Sequence, residues 1–212
     1  MILLNVYPLV LGPVQTTCYV VSSQGRAVIV DPAANANKII QYLGTKKLIP
    51  EAILLTHGHF DHIGAVNELA AKYRLPIYAH KLEKEYFEKP EVNLSTMMYQ
   101  PFVLSEDLDY HWLADGATLT CLDTQVKIFH VPGHTSGSLC YYFVNDRMVF
   151  TGDTLFKQSI GRTDFIYGNH QQLVTGIKQK LLTLPDDTLV YPGHGDCTTV
   201  AGEKRNNPFL NN

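Results

Sequence analysis

Thr56-His57-Gly58-His59-Phe60-Asp61-His62 places three imidazoles and one carboxylate within six residues. The stretch follows residues 52–55, a continuous apolar run that is typical of a strand buried on both faces. It precedes apolar residues spaced three and four apart over 63–73, which predict an amphipathic helix. Neutral imidazole and carboxylate are good ligands for zinc, iron and manganese. The stretch therefore predicts a metal-binding turn between a strand and a helix.

The spacing inside this stretch favours two metal positions. His57 and His59 lie two residues apart in an extended loop, so both can point to one side. Asp61 and His62 open the following helix and can turn towards a second position. The structural alternative has Asp61 capping the helix and the histidines at the surface. That alternative would suit a single histidine, but four ligand-type side chains this close together favour metal binding.

Three later segments each end an apolar run in a glycine-containing turn that carries one metal-type ligand. They are residues 131–135 with His134, 149–153 with Asp153, and 189–195 with His194. A rigid sheet holds side chains at strand ends in a fixed geometry, which suits catalytic groups. We therefore expect these three side chains to converge on the first stretch. No ligand role is assigned to the histidines outside such turns, which are His80, His111, His130 and His170.

The first part of the chain is predicted to form a hairpin followed by a helix. Residues 18–23 and 27–31 are β-rich runs joined at Gln24-Gly25, a pair that is typical of a hairpin turn. Residues 37–44 carry apolar side chains at helical spacing, with Gly44 as the expected C-cap.

The second part is predicted to contain short helices, then strands, then a late helix. Residues 81–98 should be helical and irregular, and several strands should follow as far as residue 150. Residues 173–181 carry apolar side chains on one helical face. No linker divides the sequence, so residues 1–212 are predicted to form one α/β domain of sheets covered by helices.

A faint internal repeat accompanies this pattern. Cys18-Tyr19 lies thirteen residues before Asp31, and Cys140-Tyr141 lies thirteen residues before Asp153. Both intervals contain a predicted hairpin followed by an apolar strand. One match of this kind also arises by chance. As a structural repeat, it would predict two β-rich halves that face each other.

Composition and charge exclude several classes of function. The formal net charge is −3 and the densest basic sites are pairs, Lys46-Lys47 and Lys204-Arg205, so nucleic-acid binding is not expected. No apolar segment reaches the roughly 18–20 residues of a membrane span. Residues 1–12 lack the basic region of a signal peptide and are predicted to be a strand. The four cysteines contain no C-x-x-C pair and are expected to be free thiols. We expect a cytoplasmic protein, a monomer or a small homo-oligomer, without a membrane partner.

The pattern H-x-H-x-D-H, followed by a histidine, an aspartate and a last histidine, resembles the metallo-β-lactamase superfamily over nearly the whole chain. The resemblance implies a four-layer αββα sandwich with a site for two divalent cations along one edge of its sheets. Zinc is the expected metal, and iron or manganese is compatible. Asp31 corresponds to an aspartate that orients a ligand histidine. The implied ligands are His57, His59 and His134 for one metal, Asp61, His62 and His194 for the other, and Asp153 as a bridge.

Within that superfamily, residues 151–165 are similar to a segment of glyoxalase II-like thioesterases. In that group a basic residue at the place of Arg162 holds the carboxylated thiol part of the substrate, whereas a surface ion pair with Asp164 is the structural alternative. The bridging aspartate argues against a β-lactamase of the common type. The implied activity is hydrolysis of a small-molecule thioester or ester by a hydroxide shared between two metals, with Asp61 and Asp153 as catalytic carboxylates.

The sequence departs from full-length glyoxalase II soon after His194, where the helical region that completes a glutathione pocket has no counterpart. The thiol half of the substrate therefore stays open between glutathione, bacillithiol and a coenzyme. The main alternative is a persulfide dioxygenase, which uses one iron and oxygen and is similar in the same G-R-T-D-F segment. A non-catalytic binding module is a third alternative, disfavoured because no ligand is missing. Metal stoichiometry and metal-dependent turnover distinguish the three.

Overall fold

Two sheets of six strands form the centre of the computed structural model, which describes residues 4–98 and 101–211. The first sheet contains β1 (Asn5–Leu11), β2 (Thr16–Ser23), β3 (Arg26–Val30), β4 (Ile49–Leu54), β5 (Ile77–His80) and β6 (Tyr110–Leu113). The second contains β7 (Thr118–Cys121), β8 (Thr124–His130), β9 (Leu139–Phe143), β10 (Met148–Gly152), β13 (Leu189–Pro192) and β14 (Thr198–Thr199). A separate ribbon pairs β11 (Leu155–Phe156) with β12 (Ser159–Ile160).

The helices are short and lie in the connections between strands, except the last helix, which follows β14. They are α1 (Ala36–Lys46), α2 (Phe60–Ile63), α3 (Val66–Tyr73), α4 (Lys84–Glu88), α5 (His170–Gly176) and α6 (Val200–Asn206). Two 3-10 turns cover Lys81–Glu83 and Ser95–Met97, and a π-helical turn over Ile177–Leu181 continues α5. The irregular helical region predicted over 81–98 is confirmed.

The two sheets repeat one arrangement of strands. The first has the order β1-β2-β3-β4-β5-β6, in which the β2–β3 hairpin is followed by a parallel pairing of β3 with β4. The second has the order β14-β13-β10-β9-β8-β7, in which the β9–β10 hairpin is followed by a parallel pairing of β10 with β13. Cys18 in β2 and Cys140 in β9 thus hold corresponding places, as the faint repeat in the sequence predicts.

Alternate side chains of the central strands belong to two different cores. Val20 and Ile29 pack in the cluster that contains the apolar faces of α1 and α3. Their neighbours Val21 and Val28 point the other way and pack with Phe150 of the second sheet. Because both faces of β2 and β3 are buried, the sequences of these strands are mostly continuous apolar runs.

The outer face of the second sheet is covered by the late helix. Leu173, Ile177 and Leu181 are 0% exposed and pack against Val149 and Val190 of that sheet. The apolar face predicted for residues 173–181 is therefore confirmed. The resulting order of layers, helix on sheet on sheet on helix, is the predicted αββα sandwich.

The prediction that Gly44 caps α1 is wrong. The helix continues to Lys46, and Lys47 adopts the left-handed conformation (φ 53°) in place of the glycine. The N–H of Lys47 donates to the Gly44 carbonyl at 3.1 Å, and the N–H of Leu48 donates to the Leu43 carbonyl at 2.9 Å. This is the Schellman pattern. Leu43 is buried in the first core and the partly buried Leu48 packs against it, and this packing sets the end of the helix.

The single helix predicted over 63–73 is interrupted. α2 ends at Ile63 and α3 begins at Val66. Between them the N–H of Ala65 donates to the carbonyl of Pro32 at 2.9 Å. A Cβ on Gly64 would overlap the carbonyl oxygen of Ala33, so the chain passes this loop only with glycine there. A tertiary contact with the loop after β3 therefore replaces one turn of helix.

The cysteines and the first strand agree with the predictions. All four cysteines are free thiols, and Cys18 and Cys140 are fully buried. The strand predicted over 1–12 is present as β1, while residues 1–3 lie outside the described residues. In the part of the chain that the structure describes, no helix has the length and apolar character of a membrane span.

Candidate metal centre

The predicted metal ligands come from four chain segments that meet at one edge of the sheets. Residues 57–62 join β4 to α2, and three single ligands follow strands of the second sheet: His134 follows β8, Asp153 follows β10 and His194 follows β13. Because β10 and β13 pair in parallel, their carboxyl ends reach the same edge. The structure brings together all seven side chains that the sequence predicts as ligands.

Three histidines form the first group of ligand atoms. His59 Nδ1 lies 3.1 Å from Nε2 of His57 and 3.0 Å from Nε2 of His134. All three side chains are buried beneath the surface. Three ring nitrogens that converge on one point match the donor set of a catalytic metal position.

Asp61, His62 and His194 form the second group. Nε2 of His194 lies 3.2 Å from Asp61 Oδ2, and Nε2 of His62 lies 3.5 Å from the same oxygen. Asp153 lies between the two groups, with Oδ1 3.3 Å from Nε2 of His62 and Oδ2 3.6 Å from Nε2 of His134. It occupies the place that the resemblance implies for a bridging carboxylate.

Two buried polar atoms in this centre have no hydrogen-bond partner among the described residues, namely His62 Nε2 and Asp153 Oδ1. Leaving such an atom unpaired costs about 1–3 kcal/mol. Both are atoms of metal-ligand type, and they face each other across 3.3 Å. The donor set of imidazole nitrogens and carboxylate oxygens suits zinc, iron and manganese. The residues therefore fit two divalent cations.

The protonation states of His57, His59 and Asp153 suit metal binding. Burial, reinforced by the neighbouring His134, lowers the pKa of His59 to about 3, so this ring is neutral. Burial also holds the pKa of His57 well below its usual range. Burial alone would raise the pKa of Asp153, but the adjacent His62 outweighs that effect and lowers the pKa of this carboxyl. Metal ligands must be deprotonated, and these three groups already are. In contrast, Asp61 and the neighbouring carboxylates outweigh burial and raise the pKa of His62, so that ring must release a proton when a cation binds.

Asp31 supports His62, as the resemblance implies. The carboxylate is 2% exposed, and its Oδ2 lies 2.9 Å from Nδ1 of His62. Its Oδ1 accepts the N–H of Thr56 at 2.7 Å, and its Oδ2 accepts the hydroxyl of the same residue at 2.6 Å. A hydrogen bond from Nδ1–H fixes the tautomer of the ring, so that Nε2 presents its lone pair to the centre.

Two threonines that hold carboxylates of the centre were not predicted. Thr16 donates its hydroxyl to Oδ2 of Asp61 at 2.6 Å, across 45 residues of sequence. Thr56 donates both its N–H and its hydroxyl to Asp31. A contact as distant as that of Thr16 leaves no local pattern in the sequence. The role of Thr56 could have been suspected from the sequence, because this residue directly precedes the ligand His57.

Gly193 allows the end of β13 to approach the centre. A Cβ on this residue would overlap Oδ1 of Asp153 and would lie 2.6 Å from Cε1 of His62. The N–H of Gly193 donates to the carbonyl of Gly152 at 2.9 Å, which holds the two strand ends together. A glycine is therefore required before His194 for steric reasons.

The four histidines that were assigned no ligand role lie outside every group of three metal-type ligands found among the described residues. His130 ends β8, and its ring stacks on that of His80 with centroids 4.1 Å apart. Its Nε2 lies 2.9 Å from the carbonyl oxygen of Ser136. His130 therefore packs at the strand end, as expected.

A cavity of about 640 Å³ opens over the centre. Its lining residues include ligands of both groups, so both groups are accessible from it; these ligands are His59, Asp61, His134, Asp153 and His194. Its remaining wall is largely apolar and is formed by Val14, Phe60, Leu94, Met97, Phe156 and Phe165. A mostly apolar cavity with a few converging polar groups is the usual form of a small-molecule site.

Arg162 lies at the rim of this cavity and its charge is already paired. Its Nε and Nη2 donate to the two carboxylate oxygens of Asp164 at 3.0 and 2.8 Å. The guanidinium also lies 4.3 Å from the ring centroid of Phe165. The surface ion pair weighed as an alternative from the sequence is therefore present, and Arg162 is one of the residues that line the cavity.

Comparison with known protein families identifies the family of this chain. Residues 11–194 match the family model described as the metallo-beta-lactamase superfamily. The chain belongs to this superfamily. It is 43% identical over 200 residues to the probable metallo-hydrolase YqgX of Bacillus subtilis (strain 168), with 94% of each protein covered. It is 35% identical over 199 residues to the hydroxyacylglutathione hydrolase GloC of Haemophilus influenzae, with 93% of each covered.

Solved structures similar to this member of the metallo-β-lactamase superfamily include a metallo-β-lactamase and a di-iron-bound protein. It is similar to the BLEG-1 B3 metallo-β-lactamase with a TM-score of 0.93 and 41% identity, over 98% of this chain and 100% of the other. It is similar to TTHA1623 in a di-iron-bound form with a TM-score of 0.85 and 37% identity, over 96% and 100% of the two chains.

Proposed function

We propose that the protein is a binuclear metal-dependent hydrolase that cleaves a small-molecule thioester or ester, in the manner of glyoxalase II. The observation that carries the proposal is the pair of ligand groups with Asp153 between them. Two cations bound there would supply a hydroxide at neutral pH and polarise the carbonyl oxygen of the substrate. The similarity to GloC, a hydroxyacylglutathione hydrolase by name, supports a thioester as the substrate class.

Each ligand group has the residues to hold one cation. Zinc is the metal we expect, because its usual ligands are the nitrogens and carboxylate oxygens present here. Iron is compatible, and the di-iron form of TTHA1623 supports it as an alternative. The proposed ligands are His57, His59 and His134 for one cation, Asp61, His62 and His194 for the other, and Asp153 for both.

The carboxylates are placed to orient the attacking group. The hydroxyl of Thr16 donates to Asp61 Oδ2 at 2.6 Å and thereby fixes the orientation of that side chain. Asp153 Oδ1 has no hydrogen-bond partner within the described residues, so it remains available to the centre. Both side chains line the cavity, where a bound carbonyl group would meet them. The apolar wall of the cavity would hold the rest of the acyl group and limit the entry of water.

The proposal is tested by elemental analysis of the purified protein beside a thioester hydrolysis assay. We expect about two equivalents of metal per chain, together with turnover of lactoyl-glutathione or of an uncharged acyl thioester. Chelation should remove the activity and added zinc should restore it. Bound metal without hydrolysis of any thioester or ester would contradict the proposal. One equivalent of iron with oxygen uptake on glutathione persulfide would identify a dioxygenase instead.

Arg162 is proposed to contact an anionic part of the substrate in competition with Asp164. Arg162→Ala should raise KM for lactoyl-glutathione by roughly two- to fivefold, the size of an exposed ion pair. Asp164→Asn should lower the same KM, because it frees the guanidinium from its present partner. Steady-state kinetics with a neutral ester provides the control, and its KM should not change in either variant. Equal changes in KM for charged and neutral substrates would show that the Arg162–Asp164 ion pair has only a structural role at the rim of the cavity.

A further inference from the structure

Glu83 is a buried carboxylate outside the metal centre that the proposed chemistry does not use. It ends the 3-10 turn at Lys81–Glu83 and is 1% exposed. A carboxylate is costly to bury unless hydrogen-bond donors surround it. Its partners therefore indicate why a glutamate is present at this position.

One oxygen of Glu83 bonds to the loop that carries the first two histidines. Oε2 accepts the N–H of Gly58 at 2.6 Å, and Gly58 lies between His57 and His59. A Cβ on Gly58 would lie 3.1 Å from this oxygen and 2.5 Å from Cβ of Tyr86. The absence of a side chain at Gly58 is thus what lets the loop reach the carboxylate.

The other oxygen bonds to the loop that carries the third histidine. Oε1 accepts the N–H of Gly137 and the hydroxyl of Thr135, each at 2.7 Å, just after His134 in the chain. A Cβ on Gly137 would lie 2.7 Å from this oxygen, so this approach also requires glycine. A single carboxylate therefore joins both loops of the three-histidine group, one from each half of the fold.

We propose that Glu83 is a positioning residue, whose carboxylate holds these two loops at the spacing that the three-histidine metal position needs. The inference rests on the metal centre of the proposed function. A carboxylate suits this task because it accepts three donors and donates none. The isosteric amide of glutamine would direct its NH₂ group at one or more of these donors, which would push one loop away.

The second ligand group does not depend on Glu83. In that group Asp61 is held instead by Thr16, and His62 is held by Asp31. A substitution at Glu83 is therefore expected to weaken one metal position and spare the other. A general loss of stability would weaken both.

The test is a zinc titration of the metal-free protein by calorimetry, with Glu83→Gln compared against Glu203→Gln. Glu203 is a matched control because it is also 1% exposed and accepts three donors, at 2.7 to 2.9 Å. We expect Glu83→Gln to weaken one of the two zinc sites by about 10- to 100-fold, the usual effect of losing support for a ligand. Glu203→Gln should keep both sites.

A second variant covers the case in which Glu83→Gln does not fold. Thr135→Val removes one of the three donors and should weaken the same zinc site to a smaller extent. Where Glu83→Gln does fold, the two effects should not add in the double variant, because both act through one hydrogen-bond network. Two zinc sites of unchanged affinity in Glu83→Gln, or in Thr135→Val where that is the variant that folds, would overturn the inference. An unmodified protein that binds no zinc would contradict the proposed function instead.

Discussion

Asp153→Ala is expected to abolish metal-dependent turnover and to lower the metal content below two equivalents per chain. Oδ2 of this residue lies 3.6 Å from Nε2 of His134 and 3.5 Å from Nε2 of His194, so its carboxylate faces both ligand groups. The loss of activity should exceed the roughly 100-fold effect of removing an indirect support of a ligand. Initial rates and elemental analysis of the same preparation measure both effects.

The same substitution should also lower the stability of the metal-free protein. Asp153 Oδ1 lies 3.3 Å from Nε2 of His62, which outweighs burial and lowers the pKa of this carboxyl, so the ionised carboxylate contributes stability at neutral pH. Urea unfolding after chelation measures this. Asp196→Ala is the control, because it removes an exposed carboxylate two residues beyond His194 and should keep metal and turnover. Full metal content and turnover in Asp153→Ala would refute the bridging role.

Asp31→Ala is expected to be the most destabilising of these substitutions, by about 3–5 kcal/mol of unfolding free energy. Three buried donors lose their acceptor, namely the N–H and hydroxyl of Thr56 and Nδ1 of His62. Asp31 also has φ 47°, a conformation that aspartate tolerates better than alanine. Urea unfolding of the metal-free protein measures this effect without a contribution from metal binding.

Two further substitutions serve as controls for Asp31→Ala. Asp31→Asn keeps the tolerance for positive φ and one acceptor oxygen, so it should cost less, about 1–3 kcal/mol. Asp115→Ala removes a half-exposed carboxylate that accepts the N–H of His130 and pairs with Lys180, and it should cost under about 1 kcal/mol. If Asp31→Ala costs no more than Asp115→Ala, the buried network is not what stabilises this loop.

The metal ligands were predictable because their signals are local. Residues 57–62 place four ligand-type side chains next to one another in the chain. His134, Asp153 and His194 share a second local signal, an apolar strand that ends in a glycine turn. Two of the residues that support the ligands, Thr16 and Glu83, have no such signal. Thr16 reaches Asp61 across 45 residues, and Glu83 lies in a segment whose pattern predicted only irregular helix.

Element boundaries were less predictable, because tertiary contacts override local preference at each of them. α1 extends beyond Gly44 because Leu43 is buried in the first core and Leu48 packs against that core. The helix after the ligand loop breaks at Gly64 because the chain there packs against the loop that follows β3. The sequence pattern also could not predict the order of strands within each sheet. An apolar run shows that both faces of a strand are buried, but it does not identify the neighbouring strand.

The origin of the ligands in both sheets determines when in folding the site can form. His59 and His134 come from different sheets and lie 75 residues apart, and Asp61 and His194 lie 133 residues apart. Closing loops of this length costs entropy before any contact is gained, so such contacts form late. We therefore expect ions to bind only after the two halves have docked. Once bound, they would cross-link the halves, and because they would bind only the folded form, a larger supply of metal would shift the folding equilibrium towards that form.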